Sequence, residues 1–169
     1  MKTLWAPWRL PYLLNPDKDM KTGRSLKNNC IFCDAVSKKE SVESLVLHKG
    51  KTAFVIMNKY PYSNGHIMVI PKRHVFELKK LKPSEHAELG ALLAASIEIL
   101  KKYAHCDGFN LGMNLGAAAG AGIKDHLHYH VVPRWSGDHN FMPVLADVRV
   151  VPEHMHETYA KLKLHFDKL

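Results

Sequence analysis

Three histidines recur at every second position in His126-Leu127-His128-Tyr129-His130-Val131-Val132. Histidine is the side chain whose ordinary pKa lies nearest neutrality, and a neutral imidazole can serve as nucleophile, acid, base or metal ligand. In a strand, side chains two residues apart share a face. The spacing therefore predicts three imidazoles along one surface, with Leu127, Tyr129 and Val131 turned toward a core. A purification tag would sit at a terminus, and neither a tag nor a metal-sequestering tract would alternate with apolar partners. This run is internal and alternates, so it predicts a reaction site. A second group is Cys30-Ile31-Phe32-Cys33, whose spacing lets two thiolates meet one zinc ion. A pair of reduced thiols in a compact turn is the alternative. Cys106 has no partner motif, and His139, His154, His156 and His165 have no interpretable spacing.

Elements able to hold these residues can be read from periodicity and breakers. Residues 1–29 form an arm rich in Trp, Pro, Lys and Asn, with turns at Asn15–Asp19 and Lys21–Ser25. Residues 30–169 form one domain with a C-terminal extension. A helical turn or two follows Cys33. Ser44–His48 and Thr52–Met57 are β-branched apolar runs joined by Lys49-Gly50-Lys51, which predicts a hairpin. Asn58–Gly65 reads as a loop, and His66–Pro71 as a third strand. Pro83 suits a helix start, and Leu89, Leu92, Leu93, Ser96, Leu100 and Tyr103 fall on one stripe, predicting a helix over 83–103. Gly108–Asn114 reads as a strand, Leu115–Gly122 as a glycine–alanine loop before the histidine strand, and 153–167 as a final helix. Strands, helix, then strands with short connections predict an α+β fold with a mainly antiparallel sheet.

Composition narrows the partners. Hydrophobic residues make up 46% and charged residues 24% of the 169, as in a water-soluble globular chain large enough to bury a core. No apolar run approaches the ~20 residues of a membrane span, and the opening Met1–Arg9 lacks a signal-peptide core, which predicts a cytoplasmic protein with no membrane partner. Three cysteines argue against a disulfide scaffold. The net charge of +8 favours anionic partners such as nucleotides and polyphosphates. Nucleic acid is a secondary candidate, because no RNA-binding signature or helix-turn-helix pattern is present.

HLHYHVV resembles the signature of the histidine-triad (HIT) superfamily of nucleotide hydrolases and transferases. NKYPYSNGHIMVIPKRH is similar to that family's first nucleotide-binding segment, and GFNLGMNLGAAAGAGIKDHLHYHVVPRW to its loop-plus-triad segment. WAPWR, CIFC and PRWSGDHNFMPV together resemble the bacterial branch that includes diadenosine tetraphosphate phosphorylases and hydrolases. The resemblance implies a HIT-like fold of about five strands with one long central helix and a C-terminal helix. It implies that His128 attacks an α-phosphorus to form a nucleotidyl-histidine, which phosphate or water then resolves. A carbonyl, that of His126, would aim the ring through its other nitrogen. His130 would contact the α-phosphate, and His66 would position or polarise the site. Asn58 would bind the ribose and Asn114 would lie near the phosphates. Main-chain N–H groups of the Gly116–Gly122 run, Gly120, Ala121 and Gly122 among them, would approach the polyphosphate, because small residues admit the backbone. Many members carry a Ser, Thr or Gln just before the triad. Here Ala121, Gly122 and Ile123 offer no side-chain donor, so phosphate recognition falls to backbone, histidines or Lys124.

The same resemblance implies a structural zinc site made of Cys30, Cys33, His74 and His126, and a homodimer whose sheets join across a two-fold axis. Magnesium is expected only as a counter-ion of the polyphosphate, since no carboxylate cluster provides a dedicated site. The expected activity is cleavage of dinucleoside polyphosphates. Hydrolysis of nucleoside phosphoramidates or adenylyl sulfate, a nucleotide-binding regulatory role with little turnover, and zinc storage are the alternatives.

Overall fold

β-Branched and aromatic side chains favour the pleated, half-buried surface of a sheet, and two runs rich in them pair inside the sheet. In the computed structural model, which describes residues 30–138 and 153–169, β2 (Ala53–Met57) and β3 (Ile67–Pro71) are buried at every position. They run antiparallel, with Val55 opposite Val69 and Met57 opposite Ile67. β1 (Val46–Lys49) flanks β2, β5 (Tyr129–Arg134) flanks β3, and β4 (Gly108–Gly112) forms the far edge, giving a five-stranded sheet of order β1-β2-β3-β5-β4. Every neighbouring pair is antiparallel. The expected α+β fold with five strands is the one found.

Helices cover what the sheet leaves apolar. The short α1 (Ile31–Ser37) begins inside the Cys30–Cys33 segment and buries Phe32 and Ala35. The long α2 (Pro83–Ala104) packs across β2, β3 and β5, burying Leu89, Leu92, Ser96, Ile99 and Leu100. Its first turn is fixed by Glu85, whose carboxylate accepts the Lys82 N–H at 2.7 Å and the Arg73 guanidinium at 2.9 and 2.7 Å. The last helix, α3 (Met155–Phe166), lies against β1 and α2, buries Leu162 and Phe166, and donates the Tyr159 hydroxyl to the Val46 carbonyl at 3.0 Å.

Element limits differ from the sequence expectations where a polar side chain takes over the backbone. Ser44 is not in β1: its hydroxyl donates to the Lys39 and Ser41 carbonyls, and Leu45 adopts a positive φ of 59° before the strand starts at Val46. β4 ends at Gly112, before Asn114, whose amide instead reaches the Gly120 carbonyl at 3.4 Å. The arm 1–29, with its expected turns, and the segment 139–152 lie outside the described residues. No described helix is long and apolar enough to cross a membrane.

Candidate active site and metal-ligand cluster

The histidine run does not form one continuous strand. β5 begins only at Tyr129, and His126 lies in a bend whose successor, Leu127, donates its N–H to the Val75 carbonyl at 2.7 Å. The expectation of three imidazoles side by side on a strand is corrected accordingly. His126 is drawn toward the end of β3 by a 2.8 Å contact between its Nε2 and the Pro71 carbonyl, while His128 and His130 stay together with ring centroids 4.9 Å apart. All three remain buried.

Two clusters result, sharing one backbone. In the first, Cys30, Cys33, His74 and His126 bring one ligand atom each to within 4.8 Å of one another, the only such grouping of His, Cys, Asp or Glu among the described residues. His126 Nδ1 lies 3.3 Å from Cys30 Sγ and 3.7 Å from Cys33 Sγ, and His74 Nδ1 lies 3.4 Å from Cys33 Sγ. Tetrahedral zinc, with bonds near 2.3 Å to sulfur and 2.0–2.1 Å to nitrogen, would separate S and N ligands by about 3.6 Å. The donor set and its spacing therefore fit zinc. A carbonyl can only accept, so His126 Nε2 carries the proton and donates to Pro71, leaving Nδ1 with its lone pair toward the thiols. Burial pushes the His126 pKa down to about 4, keeping the ring neutral as a ligand requires.

In the second cluster, hydrogen bonds dictate the state of each ring nitrogen. His128 Nδ1 lies 2.9 Å from the His126 carbonyl, so Nδ1 donates and Nε2 holds a lone pair. The Tyr62 main-chain N–H donates to His66 Nδ1 at 3.0 Å, and the Asn58 amide lies 3.3 Å from the same nitrogen. His66 Nε2 must then be the protonated nitrogen, and it donates to His130 Nδ1 at 3.0 Å. His130 is left with its proton on Nε2, a buried group with no hydrogen-bond partner among the described residues. Two histidines in ring contact thus present opposite nitrogen states, a lone pair on His128 and an N–H on His130. Burial lowers the pKa of both, that of His130 to about 4, so neither is a cation at neutral pH.

The other expected residues fall into place unevenly. Asn58 sits at the end of β2 beside His66, with its Oδ1 accepting the Tyr60 N–H at 3.0 Å. Asn114 spans the glycine–alanine loop, as described above. Within that loop the N–H groups of Gly120 and Ala121 close turns onto Ala117 and Gly116, at 2.9 and 3.3 Å. Two contributors escaped the sequence reading. Tyr62 supplies the N–H that sets the tautomers and lays its ring 4.6 Å from His66. Phe32 contacts both His126 and His128. Its position between two ligand-spaced cysteines was the available signal.

The five-stranded antiparallel sheet with a buried histidine constellation on its β3–β5 seam defines a class, and sequence comparison agrees. The HIT domain family matches residues 39–137. The chain is 37% identical over 158 residues to the AP-4-A phosphorylase of Mycobacterium tuberculosis, covering 94% of this chain and 80% of that protein. It is 33% identical over 114 residues to adenylylsulfatase HINT3 of Arabidopsis thaliana, covering 68% of this chain and 56% of that protein. Among solved structures, a zinc-bound histidine triad family protein from Mycobacterium smegmatis superposes with a TM-score of 0.66 at 26% identity, covering 85% of this chain and 96% of that one. This chain belongs to the HIT family.

Proposed function

We propose that the protein is a nucleotidyl transferase or hydrolase that cleaves dinucleoside polyphosphates of the diadenosine tetraphosphate kind at an α-phosphate. The carrying observation is the pair of opposite ring-nitrogen states, lone pair on His128 Nε2 and N–H on His130 Nε2. His128 Nε2 attacks the α-phosphorus, and the P–O bond to the rest of the phosphate chain breaks. The ring becomes cationic as the P–N bond forms, and the His126 carbonyl, already bonded to Nδ1–H, stabilises that charge. The departing polyphosphate is a weak base and leaves without a proton. His130 Nε2–H donates a hydrogen bond where negative charge grows, an interaction strengthened by the buried setting. Phosphate or water then attacks the nucleotidyl-histidine and restores neutral His128. Asn58 binds the ribose in this reading, and the Gly122 and Asn114 region borders the phosphates.

The similarity to AP-4-A phosphorylase over 94% of the chain supports inorganic phosphate as the second acceptor. The likeness to adenylylsulfatase HINT3 supports a second reading, hydrolysis of adenylyl sulfate by the same histidines. We also propose that Cys30, Cys33, His74 and His126 hold a structural zinc, supported by their spacing and by the zinc-bound relative. Two copies would join through β4, the sheet edge, where Leu111 is 45% exposed.

Chromatography of products from diadenosine tetraphosphate, with and without phosphate, tests the proposal. ADP plus ATP formed only with phosphate identifies a phosphorylase, and AMP plus ATP in either case a hydrolase. His128→Ala should bind nucleotide yet turn over none. Full turnover in that variant would rule out the covalent route, and cleavage of adenylyl sulfate alone would move the assignment to the second reading.

A further inference from the structure

We infer that Phe32 is a positioning residue for His128, the wedge through which the Cys30–Cys33 segment sets the orientation of the histidine proposed as nucleophile. The His128 ring is held on three sides. Its Nδ1 bonds the His126 carbonyl at 2.9 Å. The His130 ring stands nearly perpendicular to it at 4.9 Å, and the Phe32 ring lies across it at 5.1 Å with an interplanar angle of 51°. Two of these three restraints come from the metal-ligand cluster: His126 is a member, and Phe32 lies between Cys30 and Cys33. Phe32 also meets the His126 ring edge-on, at 5.5 Å and 86°. One aromatic ring therefore touches both histidines whose carbonyl–imidazole bond fixes the tautomer.

The hydrogen bond alone would not hold the ring. A partial rotation about the Cβ–Cγ bond breaks the Nδ1 bond to the His126 carbonyl and takes the Nε2 lone pair off its line. That rotation sweeps the space filled by Phe32, and a close-packed interior offers no alternative room. Phe32 is 1% exposed, so it presents almost no surface to a bound nucleotide, and its effect on reaction passes through His128. It rides on α1, a helix of 7 residues, too short to be stable alone. The thiols on either side of Phe32 anchor that helix to His74 and His126. The cysteine segment thus has a second duty besides metal retention: it carries the wedge.

The catalytic meaning depends on the nucleophile proposed above, whereas the geometric meaning does not. Phe32→Leu preserves apolar volume without a flat ring, and Phe32→Ala removes the wedge. For each, zinc content, kcat and KM with diadenosine tetraphosphate, and the His128 tautomer from long-range 1H–15N imidazole correlations would be measured, using His128→Ala to assign the signals. Phe32→Leu is expected to stay folded with zinc bound, to lose about 10–100-fold in kcat with KM within about threefold, and to show His128 in two tautomers instead of one. An unchanged kcat or an unchanged tautomer in the folded, zinc-loaded variant overturns the positioning role. Loss of metal together with rate overturns it in favour of a purely structural one. Should the parent cleave no nucleotide, the functional proposal fails, and the tautomer comparison still decides whether Phe32 orients His128.

Discussion

His66 Nε2 and His130 Nδ1 meet across 3.0 Å between β3 and β5, and the Tyr62 N–H behind His66 fixes which of the two carries the proton. A main-chain donor, which does not titrate, thereby dictates the state of a nitrogen two rings away. His66→Ala removes the relay and frees His130 to place its proton on either nitrogen. The expected result is a fall in kcat of about 10–100-fold, with His66→Gln, whose amide can still donate, falling less. Steady-state kinetics beside thermal melts would separate this from unfolding. Parent-like turnover in folded His66→Ala would mean that His130 needs no fixed tautomer.

Cys33 Sγ lies near both cluster histidines, 3.4 Å from His74 and 3.7 Å from His126. Cys33→Ser should reduce bound zinc from about one per chain to almost none. Loss of that cross-link between α1 and the loop after β3 should lower the unfolding midpoint by about 6–12 °C, or about 3 kcal/mol. Cys106→Ser, outside the cluster, should change neither quantity. Elemental analysis and calorimetry decide the matter, and a parent protein that is metal-free yet melts cooperatively at the same temperature as Cys33→Ser would end the case for zinc.

The sequence was most legible where one physical signal dominated. Pro83 and the stripe from Leu89 to Tyr103 together marked α2 to within a residue at each end, because a proline at a helix start followed by sustained helical periodicity has few rivals. Lys49-Gly50-Lys51 marked the β1–β2 turn, because a short glycine-containing link between two β-branched apolar runs is a hairpin signal. The histidine spacing marked three imidazoles but not their arrangement. Alternation predicted a shared strand face, yet His126 leaves the strand because its ring is bonded to Pro71 and turned toward the thiols, contacts remote in sequence. Tyr62 was illegible in principle, since the group it contributes is a backbone N–H that every non-proline residue has. The turns that consume the Gly120 and Ala121 N–H groups were equally hidden, depending on positive φ at Gly116 and Gly120 rather than on composition.

Glu85 ties stability to pH. Hydrogen bonds from Arg73, offset by the cost of burial, hold its pKa at about 2, against 4.5 for an ordinary glutamate. A depressed carboxylate pKa means that the folded state binds the proton less readily than the unfolded one. The ion pair therefore contributes fully above pH 4.5, and its contribution is lost as pH falls through the folded value of about 2. Glu85→Gln should cost about 2 kcal/mol at pH 7. The gap to the parent should narrow steadily below pH 4.5. Urea unfolding of both proteins at pH 7, 4 and 3 measures it, and a gap that stays constant across that range would show that Glu85 acts by shape and not by charge.

Gly50 is required by close approach rather than by backbone angle. A Cβ placed there would lie 2.2 Å from Glu88 Oε1 and 3.2 Å from the Ala53 carbonyl. A glutamate tip could ordinarily swing aside, but this one is engaged: it accepts the Lys51 N–H at 2.6 Å, the Thr52 N–H at 2.5 Å and the Thr52 hydroxyl. Those bonds pin the β1–β2 turn to the start of α2. Gly50→Ala must therefore displace either the carboxylate or the turn, at an expected cost of about 1–2 kcal/mol. Glu88→Ala should lose a similar amount, and the double variant should lose less than the sum, because each change removes the same contact. Equilibrium unfolding of the three variants tests the coupling. Strictly additive losses would place the strain of Gly50→Ala elsewhere in the hairpin.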